Sequence, residues 1–301
     1  MKYLFVLFLS FLIIINNNNL IAQNDSTKTE DWDFDFEDWE WDFDFNQSNK
    51  RPTISLSYGI SNISKDNLKL IDFDKIGLFE LKLGYQYSKK INSNDYLSKY
   101  GYGFFYLKNE SSKHINAENE SYNVKSEMWS FGFGKLIGYG YDICDVVSII
   151  PYNSNTINWT KVNFDFLNNL ESENSKDVQT LKLYDDSFRF GSSGEGGIRI
   201  GLFNYLLFDF GYERSIIFQR HLFWKWVGSS FIEMGAGSIL DKFIDEVFES
   251  SAGAGPIVFF LLKNGLTYGI YELRKEKMNW PFKTASPLFL EQFKFGVTFV
   301  F

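Results

Sequence analysis

Eight charged residues stand inside stretches where apolar and polar side chains alternate: Glu80, Lys82, Arg189, Glu195, Arg199, Asp209, Glu213 and Lys294. Removed from water, such groups must pair, because an unpaired buried charge is costly. Their chemistry is therefore either an interlocked ion-pair network or a polar path for ions. Candidate general bases are His114, in the polar run Glu110–Asn116, and His221, beside Arg220; a loop His near Ser is commonplace in a Ser-rich chain. Cys144 is the only cysteine, which excludes an intramolecular disulfide and a Cys-built metal site. The Gly-rich run Gly191–Gly197 carries no Lys in the P-loop position and reads as small residues at a bend. No cofactor, metal or catalytic site is expected, and the chain is not read as an enzyme.

Period-two alternation positions these charges. Ile54, Leu56, Tyr58 and Ile60 alternate with Thr53, Ser55, Ser57 and Gly59, and Phe79, Leu81, Leu83 and Tyr85 alternate with Glu80, Lys82 and Gly84. Tyr100, Tyr102, Phe104 and Tyr106 form an aromatic row separated by Gly101 and Gly103, and Trp129, Phe131 and Phe133 form another. Further strands are predicted at 188–200 and 206–213, and a weaker one at 146–152, interrupted by Pro151. Connections alternate in length: 61–75, 109–121, 153–186 and 217–287 are long, whereas 90–97, 142–145 and 203–204 are short. A soluble sandwich has no reason for such alternation. It fits a closed antiparallel transmembrane β-barrel of about eight strands, with short turns at one rim and long loops at the other.

The 217–287 insertion contains one helical pattern, 238–250, with Leu240, Phe243, Ile244, Val247 and Phe248 on one face and Ser238 as a plausible N-cap. Beyond it, 257–263 and 266–273 flank Asn264–Gly265. They read either as a hairpin, making ten strands, or as a helix packed on 238–250. Eight strands with a helical insertion before the last is the preferred reading.

The chain ends Phe293, Phe295, Val297, Phe299 and Phe301 on one face, with Gln292, Lys294, Gly296 and Thr298 on the other. This stretch resembles the closing strand of Gram-negative outer-membrane β-barrels. The resemblance is to an architectural class and covers roughly 51–301. It implies location in the outer membrane among its lipids, both termini periplasmic, and assembly by the barrel-assembly machinery with Phe301 as its signal.

Residues 1–22 read as a signal peptide, with Lys2, a short apolar run and Ala22 at the expected cleavage site. Residues 23–50 form an acidic, aromatic periplasmic tail. Ten acids against Lys28 lie within 24–45, so with Lys2 the tail accounts for the whole net charge of −8. The remainder, 46–301, is neutral, and nucleic acid is not an expected partner. Trp32-Asp-Phe34-Asp-Phe36 recurs as Trp41-Asp-Phe43-Asp-Phe45, with Trp39 between. An extended backbone would put these aromatics on one face and the carboxylates on the other, a docking strand for an unknown periplasmic or membrane protein. Dense like charge equally suits a spacer.

The expected function is a non-enzymatic barrel that docks a partner through the tail. A small pore or transport-accessory barrel comes second, separable by single-channel recording. An outer-membrane hydrolase comes third, separable by replacing His114 and His221.

Overall fold

The structure is a computed structural model that describes residues 50–301 except 67, 69–71, 92–93, 115–122, 145 and 166–175. The expected signal peptide and all of the tail except Lys50 lie outside the described residues.

Eight long strands alternate their side chains between two environments. They are β1 Arg51–Ser64, β2 Ile76–Ile91, β3 Asn94–Ser111, β4 Asn123–Asp142, β5 Val147–Asp165, β6 Phe188–Leu202, β7 Leu206–Ile217 and β8 Leu288–Val300. Each pairs antiparallel with its neighbour in sequence. β8 then returns to β1, from Thr53 opposite Val300 to Ser64 opposite Phe289, so the sheet closes into a barrel with no free edge. On β1, Thr53, Ser55 and Ser61 are buried while Leu56, Tyr58 and Ile60 are exposed; on β8, Gln292, Lys294 and Thr298 are buried while Phe293, Phe295 and Phe299 are exposed. On these two strands the inward face is polar and the outward face apolar.

The short turns 91–94, 142–147 and 202–206 share one rim with Arg51 and Phe301, and the long connections share the other. Phe203 and Asn204 both have positive φ (55° and 48°), as a two-residue turn between right-twisted strands requires. The long-loop rim is closed by an apolar cap. Ile63, Met128 and Val162 meet Val178 and Leu181 of the short helix α1, Lys176–Lys182, and Tyr184 just after it.

The β3 row Tyr100, Tyr102, Phe104 and Tyr106 points inward and is buried. The adjacent β4 makes room for it: a Cβ on Gly134 would stand 2.4 Å from the Phe104 ring and one on Gly140 2.9 Å from the Tyr100 ring. The strand expected at 146–152 runs on to Asp165. Its ladder to β4 lapses only between Tyr141 opposite Ile149 and Gly138 opposite Tyr152, beside Pro151, which has no N–H to give. The helix expected at 238–250 begins at Phe223, and Ser238 lies inside it, donating back to the Met234 carbonyl at 3.0 Å, rather than capping it.

The insertion is a helical hairpin, α2 Phe223–Ser250 and α3 Gly255–Glu276, which excludes the ten-strand alternative. At 1.5 Å per residue these helices are about 42 and 33 Å long. They lie against the outer wall from the long-loop rim to the short-turn rim. Near the tip, Tyr139 of β4 packs on Phe248 and Phe259 at 4.6 and 4.7 Å, and the Tyr141 hydroxyl donates to the Gly253 carbonyl at 2.6 Å. Midway, Asn153 Nδ2 donates to Asn264 Oδ1 at 2.9 Å and Asn264 Nδ2 to the Tyr152 carbonyl at 3.1 Å. Higher up, the Tyr271 hydroxyl meets Ser192 at 3.2 Å. Close approach needs the bare backbone of β6, since a Cβ on Gly196 would lie 2.4 Å from Asn264 Oδ1. The Gly-rich run therefore serves helix packing on its outer side, beyond the expected small interior residues. No described helix is long and apolar enough to cross a membrane by itself.

Candidate functional site: the charged barrel interior

Strand register brings seven of the eight predicted charges together. Glu195 and Glu213 stand directly opposite each other on β6 and β7, an unfavourable like-charge pair if left alone. Lys294, from β8, relieves it by reaching Glu195 at 2.6 Å, Glu213 at 2.5 Å and Glu80 of β2 at 3.1 Å. Lys82 binds Glu80 at 3.1 Å and Glu195 at 3.3 Å. One layer away, also in register across β6 and β7, Arg199 clamps Asp209 through Nε at 2.5 Å and Nη2 at 3.1 Å, and its Nη1 donates to Gln86 at 3.1 Å. Thr298 donates to Asp209 at 2.6 Å and the Tyr152 hydroxyl to Glu195 at 2.6 Å.

Lys108 and Glu110, on β3, join this network without having been singled out in the sequence. Lys108 Nζ lies 3.1 Å from Glu213, 3.1 Å from Gln292 Oε1 and 3.9 Å from Glu110, while Gln292 Nε2 donates to Glu110. Their signal was available. They continue the phase of Tyr102, Phe104 and Tyr106, so two charges at the end of an aromatic row mark the whole row as interior. Arg189 is the residue that stays apart. It is half-buried towards the long-loop rim, where its Nη2 donates to the Leu183 carbonyl.

A pocket beside Glu195, Arg199 and Lys294 has a volume of about 10 Å³, on the order of what one water molecule needs. Five carboxylates thus face four cations among these side chains. The arrangement can fix register and hold the charges in pairs.

The other candidates are dispersed. His114 Nε2 lies 2.6 Å from Asn109 Oδ1, with its ring edge-on to Phe79 at 5.2 Å. His221 meets Phe190 edge-on at 4.5 Å, and burial holds its imidazole below the usual pKa. Cys144 is exposed. Among the described residues no three His, Cys, Asp or Glu side chains are placed to hold a metal. Phe301 is exposed, and its N–H donates to the Pro52 carbonyl at 2.9 Å, next to the barrel seam. Trp32, Phe34, Phe36, Trp39, Trp41, Phe43 and Phe45 lie outside the described residues.

No protein-family model and no curated protein matches the chain. Among solved structures it is similar to Neisserial surface protein A, at 12% identity and TM-score 0.39, over 83% of this chain and 97% of that one. It is also similar to the attachment invasion locus protein Ail of Yersinia pestis, at 10% identity and TM-score 0.33, over 85% of this chain and 100% of that one.

Proposed function

We propose that the chain is a non-enzymatic outer-membrane β-barrel, sealed inside, that works by binding a basic partner through its N-terminal acidic-aromatic tail on the periplasmic side. The observation that carries the membrane reading is the inversion of polarity across one closed ladder: ion pairs inside, and Leu56, Tyr58, Ile60, Phe79, Phe293 and Phe295 outside. In water, so large a contiguous apolar surface would be an aggregation liability; in lipid it is the required solvent contact. The rims support the sidedness, since outer-membrane barrels keep short turns in the periplasm and long loops outside. The filled interior favours an anchor over a pore. The tail reading rests on the two Trp-Asp-Phe-Asp-Phe copies and the concentration of acids in 24–45. Aromatic anchors supply binding energy, and charge supplies steering.

The deciding experiment is affinity capture from detergent-solubilised outer membranes by the full mature chain and by a chain lacking residues 24–50. A basic protein captured only by the former supports the proposal. Identical capture by both makes the tail a spacer.

A further inference from the structure

The helical hairpin is as unlike on its two faces as the strands are. Towards the barrel it is polar where the wall is polar. Asn153 of β5 donates to Asn264 at 2.9 Å and to Thr267 at 3.2 Å, and the Tyr271 hydroxyl meets Ser192 of β6. Arg214, on the outward side of β7, pairs with Glu272 of α3 at 2.5 Å and with Glu291 of β8 at 2.9 Å. Away from the barrel, the exposed side chains are apolar: Phe231 and Ile239 of α2, and Ile257, Leu261 and Tyr268 of α3. The charges of the hairpin fall at set heights. Between Lys225 and Lys242 of α2 the charged residues are Glu233 and Asp241 alone, and between Gly255 and Glu272 of α3 there is only Lys263. All of these are in ion pairs within the hairpin, Glu233 with Arg274 at 2.9 Å and Asp241 with Lys263 at 2.6 Å. At 1.5 Å per residue each stretch is about 25 Å long. The outward apolar band of an outer-membrane barrel is also roughly 25 Å tall. Beyond these stretches, Lys225 and Glu276 are exposed at the long-loop end, and Lys242, Asp245, Glu246 and Glu249 towards the tip, where Tyr141 holds Gly253.

We propose that the hairpin is immersed in the membrane beside the barrel, its two helices crossing the apolar layer and their outer face, Phe231, Ile239, Ile257, Leu261 and Tyr268, packed against lipid acyl chains. The inference rests on the membrane reading above. Without the hairpin, Asn153, Ser192 and Arg214 would stand bare on the outer wall, and polar groups without partners are costly in lipid. The hairpin covers them and carries the apolar surface of Phe293 and Phe295 on across its own outer face. A clasp held in water would instead bear charge along the face turned away from the barrel. Here the exposed charges of both helices stand only above and below the 25 Å stretches, where headgroups and water would meet them. Neither helix is apolar enough to cross alone. Crossing in company with the barrel is different, because the wall supplies hydrogen-bond partners to Asn264, Thr267 and Tyr271.

The test uses the mature full-length chain carrying Cys144→Ser, reconstituted in phosphatidylcholine liposomes. Ile239→Cys, Leu261→Cys, Glu249→Cys and, as a barrel control, Phe295→Cys each receive a nitroxide spin label. Fast migration without boiling shows that each variant is folded. Collision of the label with oxygen, which dissolves in lipid, is compared with collision with a water-soluble nickel chelate. Labels at positions 239 and 261 are expected to match the oxygen-rich, nickel-poor value at 295, and the label at 249 to shift to the nickel-rich value of water. Nickel-rich values at 239 and 261 beside a lipid-like value at 295 would overturn the immersed hairpin and keep the barrel in the membrane. A lipid-like value at 249 would overturn the placement of the tip beyond the apolar layer. Low collision with both reagents at 239 and 261 would overturn lipid as the occupant in favour of a covering protein, a second copy where dilution with unlabelled chain removes spin–spin broadening. Nickel-rich values at every position, 295 included, would refute the membrane reading itself.

Discussion

Lys294 is the most connected residue of the interior, touching Glu80, Glu195 and Glu213 from one ammonium group. Removing one member of a buried ion pair leaves its partner uncompensated, at about 3–5 kcal/mol. Lys294→Ala should therefore lower unfolding stability in detergent by about that amount, measured by urea titration. Lys294→Met combined with Glu195→Gln and Glu213→Gln should recover part of the loss, because it removes the orphaned charges too. A milder effect belongs to Lys65, outside the strands. Its Nζ donates to the Ser286 carbonyl at 2.6 Å and hydroxyl at 2.9 Å and lies over the Tyr184 ring. Burial lowers its pKa from 10.5 to about 8, with Asp66 opposing. The folded chain thus binds fewer protons than the unfolded chain between about pH 8 and 10.5. This group's contribution to stability should rise across that window and be least favourable below it. Lys65→Met should flatten the rise in unfolding midpoint measured between pH 7.5 and 10.5.

At the scale of elements, the hairpin is held to β5 by Asn264, which bridges Asn153 and the Tyr152 carbonyl. Asn264→Leu leaves polar groups facing a leucine, a cost of about 1–3 kcal/mol. The hairpin should loosen from its tip, so limited proteolysis should cut near Ser251–Ala254 faster while the barrel strands stay protected. Uncut protein at wild-type rates would mean that Tyr139, Phe248 and Phe259 suffice to hold the tip. The same element explains β5. Asn153 and Asn155 look outward where α3 packs, which interrupts the outward row that holds Ile149 and Ile157.

For the whole molecule, a sealed barrel should migrate faster unboiled than boiled on a denaturing gel, and purified protein in planar bilayers should show no stable large-conductance openings. Deleting Phe301, or Phe301→Ser, should lower the outer-membrane yield without altering the β-content of what does assemble, since its exposed ring packs no core. Partner capture through the tail should weaken as salt rises but persist, because screening acts on the ten acids and not on the aromatics. Replacing Trp32, Phe34, Trp41 and Phe43 with Ser should abolish capture while leaving unboiled migration unchanged.

Local rules determined much of this protein. Period-two alternation in Thr53–Ile60, Phe79–Tyr85 and Phe293–Phe301 already specified strands with two unlike faces, and alternating connection lengths specified a closed meander. Six of the interior charges were readable because each sits one residue away from an outward apolar side chain, and Glu195, between Gly194 and Gly196, was readable from the alternation that continues through Ile198 and Ile200. What alternation does not encode is which face is which when both are apolar or small. The row Tyr100–Tyr106 alternates with Gly101, Gly103 and Phe105, and only the glycines of the neighbouring β4 make space for it inside. Nor does it encode contact between distant segments. The partners of Arg189, the extent of β5, and the packing of α2 and α3 on the outer wall arise where separate elements meet, and side-chain packing across such a junction is decided by the tertiary structure alone.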